Sequence, residues 1–485
     1  MTNPVAIFMF PGYWNPNNKK FNNIGKRADC WLSDGHNVKL NKDNMKYNNN
    51  NPEFGFSLRF LKNWKISGSL WSAFITSFKE MLDTDKLLYD LFQAYYDTRK
   101  HKRNTSSAVN FEMNYESKII ALRNDLVDGT YTISPSICFI IQDPVQREVF
   151  AANFRDRIIH HLIYNYIYEL FDHHFIYDSY SCRVGKGTHF GIKRVEHFLR
   201  SCTHNYSRDA YILKMDIKGF FMHIDKHILF EKIKNFLSEK REEMSVDYDF
   251  LINLIYQVIF HDATCDCVIK GKKSDRDGLP DDKSLFHSPK DTGLAIGNLT
   301  SQLFANIYLD SLDKYIKHEL GFSYYGRYVD DFVIIDTDKQ KLLEAINNIR
   351  AFLSDKLKLT LHPKKIYLQH YSKGVQFLGA YIKPYRTYVR KRTIGNFYKV
   401  IQKINQKTNF DKEFAKSVVN SYLGTLAHHK TYKIRKKVIG YLSNKFRSQF
   451  YYPRSYTKAI PKIRKLTSSE IKNLYTQGYY NDNLG

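Results

Sequence analysis

The chain has 485 residues, with 74 Lys+Arg against 49 Asp+Glu, a formal charge of +25, 43 % hydrophobic and 15 % aromatic residues. That length holds roughly two to four domains, and the composition excludes a mainly disordered chain. No apolar run approaches the ~18 residues of a bilayer span, residues 1–20 lack a basic–apolar–small signal pattern, and six Cys make no disulfide framework, so a cytoplasmic protein without a membrane partner is expected. The positive surplus fits a polyanion, nucleic acid before anionic membrane, or else a solvated surface kept for solubility.

Residues 1–64 differ from everything after them. Between Asn15 and Asn51 there are 12 Asn in 37 positions, and β-like pieces such as 37–40 and 54–60 are separated by Gly, Asn and Pro. Asn disfavours helix interiors and strands, so a turn-rich or disordered extension with little core is expected. From about 65 to 209 the texture is globular, with a basic break at 100–103 and helical periodicity from about 146. The insert 180–189 contains Gly185-Lys186-Gly187, but the Gly-x4-Gly-Lys-Ser/Thr spacing of a phosphate loop is absent, which argues against an ATPase.

Residues 210–216 read as an apolar strand ending in Asp216. A Lys-, Asp-, Gly- and Pro-rich loop spans about 270–292. Gly293 to Gln302 then leads into a helix with the stripe Ala305, Leu309, Leu312 and Ile316, capped by Thr300 or Ser301, and Gly297 permits close backbone approach. Residues 324–335 read as a hairpin with Asp330 and Asp331 at its turn. After about 386 the chain is basic and helical, with Ile394, Phe397, Ile401 and Ile404 at 3-4-3 spacing.

Two adjacent carboxylates raise each other's pKa unless a cation neutralises them. Asp330 and Asp331 between apolar strands therefore suit a divalent metal, with a solvated turn as the bland alternative for the pair alone. Asp216 adds a third acid on a second strand end. Mg²⁺ prefers oxygen ligands, and two ions roughly 3.5–4 Å apart activate a 3′-hydroxyl and stabilise a leaving pyrophosphate, so the three acids suit nucleotidyl transfer. Cys265-Asp266-Cys267 with His261 and His287 fits no usual zinc spacing. His160-His161 and His428-His429 read as packing or phosphate-touching groups.

The order of Asp216, the Gly-loop helix, Tyr328-Val329-Asp330-Asp331, Leu361-His362-Pro363-Lys364-Lys365 and Phe377-Leu378-Gly379 resembles the palm of a reverse transcriptase, over roughly residues 85–445. The closer likeness is to reverse transcriptases of diversity-generating retroelements, carried by residues 154–161, 178–189, 279–286, 296–302 and 421–424. Bacterial defence-associated reverse transcriptases share part of the pattern and are the alternative. The resemblance implies an α+β right-hand polymerase: an Asn-rich extension (1–64), fingers with N-terminal helices (65–209), a palm with an antiparallel sheet (210–385), a basic helical thumb (386–450) and a tail (451–485).

It also implies roles. Asp216, Asp330 and Asp331, with the Ile217 carbonyl, would hold two Mg²⁺ ions, for which Mn²⁺ can substitute. Arg147 would grip the triphosphate, as suits a forked guanidinium. Phe221 would be the steric gate that excludes a 2′-hydroxyl, and Ile296, Gly297, Gln302 and Tyr328 would line the dNTP pocket. Lys365 would protonate leaving pyrophosphate, and Phe377, Leu378 and Gly379 would be the primer grip. Arg155, Arg157, Arg183, Lys186, Lys430, Lys433, Arg435, Lys436 and Lys437 would touch nucleic-acid backbone; for the last five, an exposed basic helix face is the bland alternative.

The implied activity is RNA-directed DNA synthesis, copying a retroelement template RNA into cDNA for mutagenic retrohoming. The partners are template RNA, the RNA–DNA duplex, dNTPs and a small basic accessory variability protein. No stretch remains for a long RNase H or endonuclease domain, so template removal or nicking is expected to need other factors. A non-catalytic RNA-binding scaffold is opposed by the intact acids.

Many reverse transcriptases carry Pro-Gln-Gly where this chain has Ala295-Ile296-Gly297. In the diversity-generating group an aliphatic residue replaces that Gln, a change linked to misincorporation opposite template adenine. Apolar shape alone discriminates by only about 1–3 kcal/mol, so an error-prone enzyme is expected. Ala295 departs from the Pro usual even in that group. Residues 10–14, 22–25, 30–33, the Asn run and 55–59 resemble the variable part of the lectin-fold proteins such elements diversify. The extension is thus read as translated template repeat or a small accessory domain, dispensable for polymerisation.

Overall fold

A computed structural model describes residues 83–100, 105–142, 145–406 and 412–462, together with the backbone of five short strands between 13 and 48. These strands are β1 (Tyr13–Asn15), β2 (Lys20–Asn22), β3 (Arg27–Trp31), β4 (Asn37–Asn41) and β5 (Met45–Asn48). They pair antiparallel as a β1–β2 ribbon and a β3-β4-β5 sheet. The β-like piece expected at 37–40 is β4, while 54–60 lies outside the described residues.

Helix α1 (Thr84–Arg99) starts at Asp83, whose carboxylate accepts the Lys86 N–H at 2.9 Å. Its buried stripe is Leu87, Leu91, Ala94, Tyr95 and Thr98. Helices α2 (Ser106–Glu112), α3 (Tyr115–Val127) and α4 (Phe154–His174) complete this core through aromatic contacts: Tyr95 stacks on Tyr115 at 4.7 Å and Phe111 meets Phe154 at 5.2 Å. Strands β6 (Ile137–Ile141) and β7 (Arg147–Ala151) pair antiparallel with Ile141 opposite Arg147, which puts Arg147 at the tip of the hairpin.

The acids lie on or between β8 (Tyr211–Asp216), β10 (Tyr324–Tyr328) and β11 (Asp331–Asp336). With β12 (Tyr367–His370) these strands form a sheet in the order β10-β11-β8-β12, and β9 (Val268–Ile269) joins β6 in parallel. Helices α6 (Phe220–His223), α7 (Lys226–Glu239), α8 (Tyr248–Phe260), α9 (Leu299–Lys314) and α10 (Lys339–Leu357) follow or separate these strands. The expected stripe is buried, with Ile316 in the π-helical turn that continues α9, but so are Asn306, Asp310 and Asp313, so α9 is covered on nearly every side. The expected cap is corrected: the N-cap is Asn298, without a side-chain cap bond. Thr300 and Ser301 sit inside the first turn and point inward, the Thr300 hydroxyl 2.7 Å from His160 Nδ1.

The chain divides into two compact units, one containing residues up to 184 with 215–332 and 340–366, the other 185–214 with 333–339 and 367 onward. The second unit carries α5 (Thr188–Cys202), the meander β13 (Val375–Phe377), β14 (Ala380–Lys383) and β15 (Arg386–Val389), and helices α11 (Lys391–Gln406), α12 (Lys412–Ala427), α13 (Tyr432–Gly440) and α14 (Asn444–Arg447). Strands β16 (Phe450–Tyr451) and β17 (Ile460–Pro461) close it. Phe397 and Ile401 of α11 are buried, Ile394 and Ile404 are half-buried, and Phe397 stacks on Tyr422 at 4.8 Å, as the 3-4-3 spacing predicts. Among the described residues no helix is long and apolar enough to cross a membrane.

Candidate active site

The expected hairpin is present, but it turns at Val329 and Asp330, and Asp331, expected in the turn, is the first residue of β11. Val329 has φ +55°, a left-handed conformation costly for a β-branched residue. What holds it is Arg327, a residue the sequence reading passed over. Arg327 is fully buried; its Nη1–H donates to the Val329 carbonyl at 3.0 Å, and its Nε–H and Nη2–H donate to the two carboxylate oxygens of Asp313 in α9 at 2.6 and 2.5 Å. The Tyr325 hydroxyl donates to the same carboxylate at 2.6 Å. The signal was present: strand alternation puts Arg327 on the inward side with Tyr325, where a cation needs a buried acid. Gly326 lies against the ring of Tyr180, whose N–H donates to the Arg327 carbonyl at 2.9 Å; a Cβ on Gly326 would lie 2.1 Å from the Tyr180 hydroxyl oxygen.

The turn meets the end of β8 directly. The Ile217 N–H donates to the Asp330 carbonyl at 3.2 Å, while Ile217 bridges to Leu361 and the Asp216 carbonyl accepts the His362 N–H at 2.8 Å. Asp216 and Asp330, 114 residues apart in the sequence, are thus brought together. Burial, and next the charge of Asp216, push the Asp330 carboxyl up to about 6, against the pull of Lys365 and Arg147. Lys365 donates from Nζ to Asp216 Oδ1 at 2.8 Å.

The donor set of carboxylates and a backbone carbonyl is all oxygen, and one carboxyl is destabilised by its neighbour's charge. Both properties fit a hard divalent cation. Among the described residues no three His, Cys, Asp or Glu side chains converge closely enough to form a cage of their own. Mg²⁺ seldom needs one, because it keeps waters and takes substrate phosphates beside one or two carboxylates.

The expected nucleotide contacts fall into two groups, Arg147 and Tyr328 near the acids and Phe221 with Ile296 in an apolar cluster. Arg147 is exposed and lies close enough to oppose the pKa rises of Asp330 and Tyr328. Phe221, Ala295 and Ile296 pack as half-buried residues against one apolar cluster of Cys138, Phe150, Met222, Ala263 and Leu285. The Phe150 N–H donates to the Ile296 carbonyl at 2.8 Å, and Gly297, at φ +131°, has the Phe150 carbonyl oxygen 2.8 Å from where a Cβ would be. The close approach expected of Gly297 is therefore to β7. Gln302 is exposed and Tyr328 half-buried.

The basic residues divide. Arg183 is buried, with Nε on Asp172 at 2.6 Å and Nη groups on the carbonyls of Ile176, Ser179 and Asp172. Arg435 is buried too and donates to Leu426, Thr431 and Ser455. Both are corrected from backbone contacts to internal braces, because their donors are already engaged. Arg155 pairs with Asp125 at 2.5 Å and lies over Tyr131, and Arg157 donates to the Ala152 carbonyl, so each is half-buried and partly committed.

The remaining expected residues belong to the second unit. Lys186 lies over the Phe190 ring there, and Lys430, Lys433, Lys436 and Lys437 are exposed, the last three on the face of α13 opposite Arg435, Val438 and Ile439. Phe377 is buried; Leu378 (φ +49°) and Gly379 (φ +83°) form the two-residue turn from β13 to β14, a geometry that needs positive φ at both positions.

Residues 145–382 match the protein family described as "Reverse transcriptase (RNA-dependent DNA polymerase)". The chain therefore carries a reverse transcriptase domain with that family's mixed helical and antiparallel-sheet fold, and the enzyme class of the domain is RNA-directed DNA polymerase, a nucleotidyltransferase. Reverse transcriptases use divalent metal ions such as Mg²⁺. Among solved structures the chain is similar to apo telomerase from Candida tropicalis, at 12 % identity over 64 % of this chain and 56 % of that one, with a TM-score of 0.40. It is also similar to telomerase from Candida albicans in complex with a TWJ fragment of telomeric RNA, at 9 % identity over 69 % and 66 %, with a TM-score of 0.39. The chain spans 56 % and 66 % of the length of these two structures. No curated protein matches it.

Proposed function

We propose that the whole protein is a reverse transcriptase that copies an RNA template into cDNA. The observation that carries this is the meeting of the β8 end with the Val329-Asp330 turn, beside Lys365 and Arg147. Asp216, Asp330, Asp331 and the Ile217 carbonyl would hold two Mg²⁺ ions, which supply charge neutralisation at the phosphates and a lowered pKa at the primer 3′-hydroxyl. The chain's own groups do the rest. Arg147 binds the triphosphate, Phe221 selects against a 2′-hydroxyl by shape, and Lys365 stands beside the acids as proton donor to pyrophosphate. Phe377, Leu378 and Gly379 position the primer, and Lys186, Lys430, Lys433, Lys436 and Lys437 bind backbone phosphates. The domain reading follows, with fingers within 65–209, palm within 210–385 and thumb within 386–450.

The finer role we favour is that of a diversity-generating retroelement, working with a basic accessory protein and copying template adenines with low fidelity. Ile296 carries that reading, since an apolar side chain stands where a polar one would contact the nucleotide. A phage-defence role is the alternative; a template/variable repeat pair beside the gene favours the first, a defence cluster the second.

The test is primer extension on an RNA template with Mg²⁺ and dNTPs. Asp330→Ala with Asp331→Ala is expected to abolish extension while melting temperature and RNA affinity stay near the parent's. Extension at parental rate in that variant refutes the assignment.

A further inference from the structure

The first unit contains a partly open cavity of about 370 Å³ whose lining includes none of Asp216, Asp330 and Asp331, within the size range of small-molecule sites. It is lined by the 293–295 loop, Asn298 and the first turn of α9, the start of α7, the end of α8 and the 285–292 segment. Lys226 is a lining residue with 8 % of its surface exposed. Its ammonium donates to the His261 carbonyl at 3.3 Å and forms no ion pair among the described residues. Burial pushes its pKa down, with Asp262 and Asp291 opposing. The buried Nε2 of His261 and the buried Ser288 hydroxyl, both in the lining, have no hydrogen-bond partner in the described protein. Asn298 leaves the N-terminus of the 16-residue α9 without a side-chain cap at the same wall.

An ammonium, a hydroxyl, an uncapped helix start and, in its Nε2–H tautomer, an imidazole make a donor-rich set, and buried donors call for acceptors. A phosphate offers several acceptor oxygens at once. Phe260, Leu294 and Phe304 give the cavity an apolar side, and Asp262 and Asp291 in the lining disfavour a highly charged polyanion.

We propose that this cavity binds a nucleoside monophosphate, its phosphate on Lys226, His261 and Ser288 and its base against Phe260, Leu294 and Phe304. The site lies behind the nucleotide loop: the Leu294 N–H donates to the Phe221 carbonyl at 2.8 Å, and the Gly293 N–H to the Ile224 carbonyl at 2.8 Å. An occupant resting on Leu294 therefore bears on the peptide that holds the Phe221 ring.

The experiment titrates the full-length Asp330→Ala, Asp331→Ala protein in EDTA with adenosine monophosphate and, separately, inorganic phosphate, followed by calorimetry and thermal melting. Saturable one-site binding of the nucleotide is expected, with a raised melting temperature and at least tenfold weaker binding in Lys226→Met. Removing a buried unpaired charge should leave the ligand-free melting temperature of Lys226→Met equal or higher. Ser288→Ala, a second and nearly isosteric variant, should also bind more weakly. No saturable binding, or unchanged affinity in both variants, overturns the site; phosphate binding as tightly as the nucleotide overturns the nucleoside assignment. Neither metal nor turnover is needed, so these failures are separable from failure of the polymerase reading.

Discussion

Asp330 owes its position to a fully buried neighbour, Arg327. The turn residue Val329 is held in a strained conformation by the Arg327 guanidinium, which is itself locked by Asp313. A buried, bidentate pair of this kind contributes little relative to an apolar replacement, but breaking it from one side strands a charge. Arg327→Leu is therefore expected to lose about 3–5 kcal/mol in chemical denaturation. Arg327→Leu with Asp313→Leu should recover most of that loss and still extend primers slowly, since the Val329 carbonyl has lost its donor. If the double variant regains full kcat, Arg327 is only a structural residue.

At the scale of elements, the loop before α9 and strand β7 behave as one piece. The Phe150 N–H holds the Ile296 carbonyl, and Gly297 has no room for a methyl above Phe150. Ile296 is thereby kept half-buried against the cluster that also seats Phe221. In Ile296→Gln the amide cannot be satisfied within that apolar cluster and must turn toward the incoming base. Sequenced cDNA from this variant is expected to show several-fold fewer substitutions opposite template adenine. An unchanged error spectrum removes the fidelity role of Ile296, and with it the main support for the diversity-generating reading.

For the molecule as a whole, stability should depend on histidines kept neutral. Burial first, then His161, His261 and Arg157, push His160 down to about 3. A folded pKa below the unfolded value of about 6.5 gives stability that is complete above that pH and lost as pH falls toward 3. Between pH 7 and 5 denaturation should lose about 1–2 kcal/mol more in the parent than in His160→Gln; equal losses would remove His160 as the cause. The acids and their hairpin were legible because alternation and motif order are local properties. Arg327 with Asp313, and the Lys226 cavity, depend on side chains meeting from distant segments, which no periodicity records. The cap of α9 was misplaced because Thr300 and Ser301 face a packed interior that composition does not reveal. The Tyr180 ring against Gly326 has a bearing on engineering. The β10–β11 hairpin is a casting whose counter-mould is the 178–183 segment, so grafting a foreign hairpin into this scaffold, or shuffling it among homologues, will succeed only when both halves travel together.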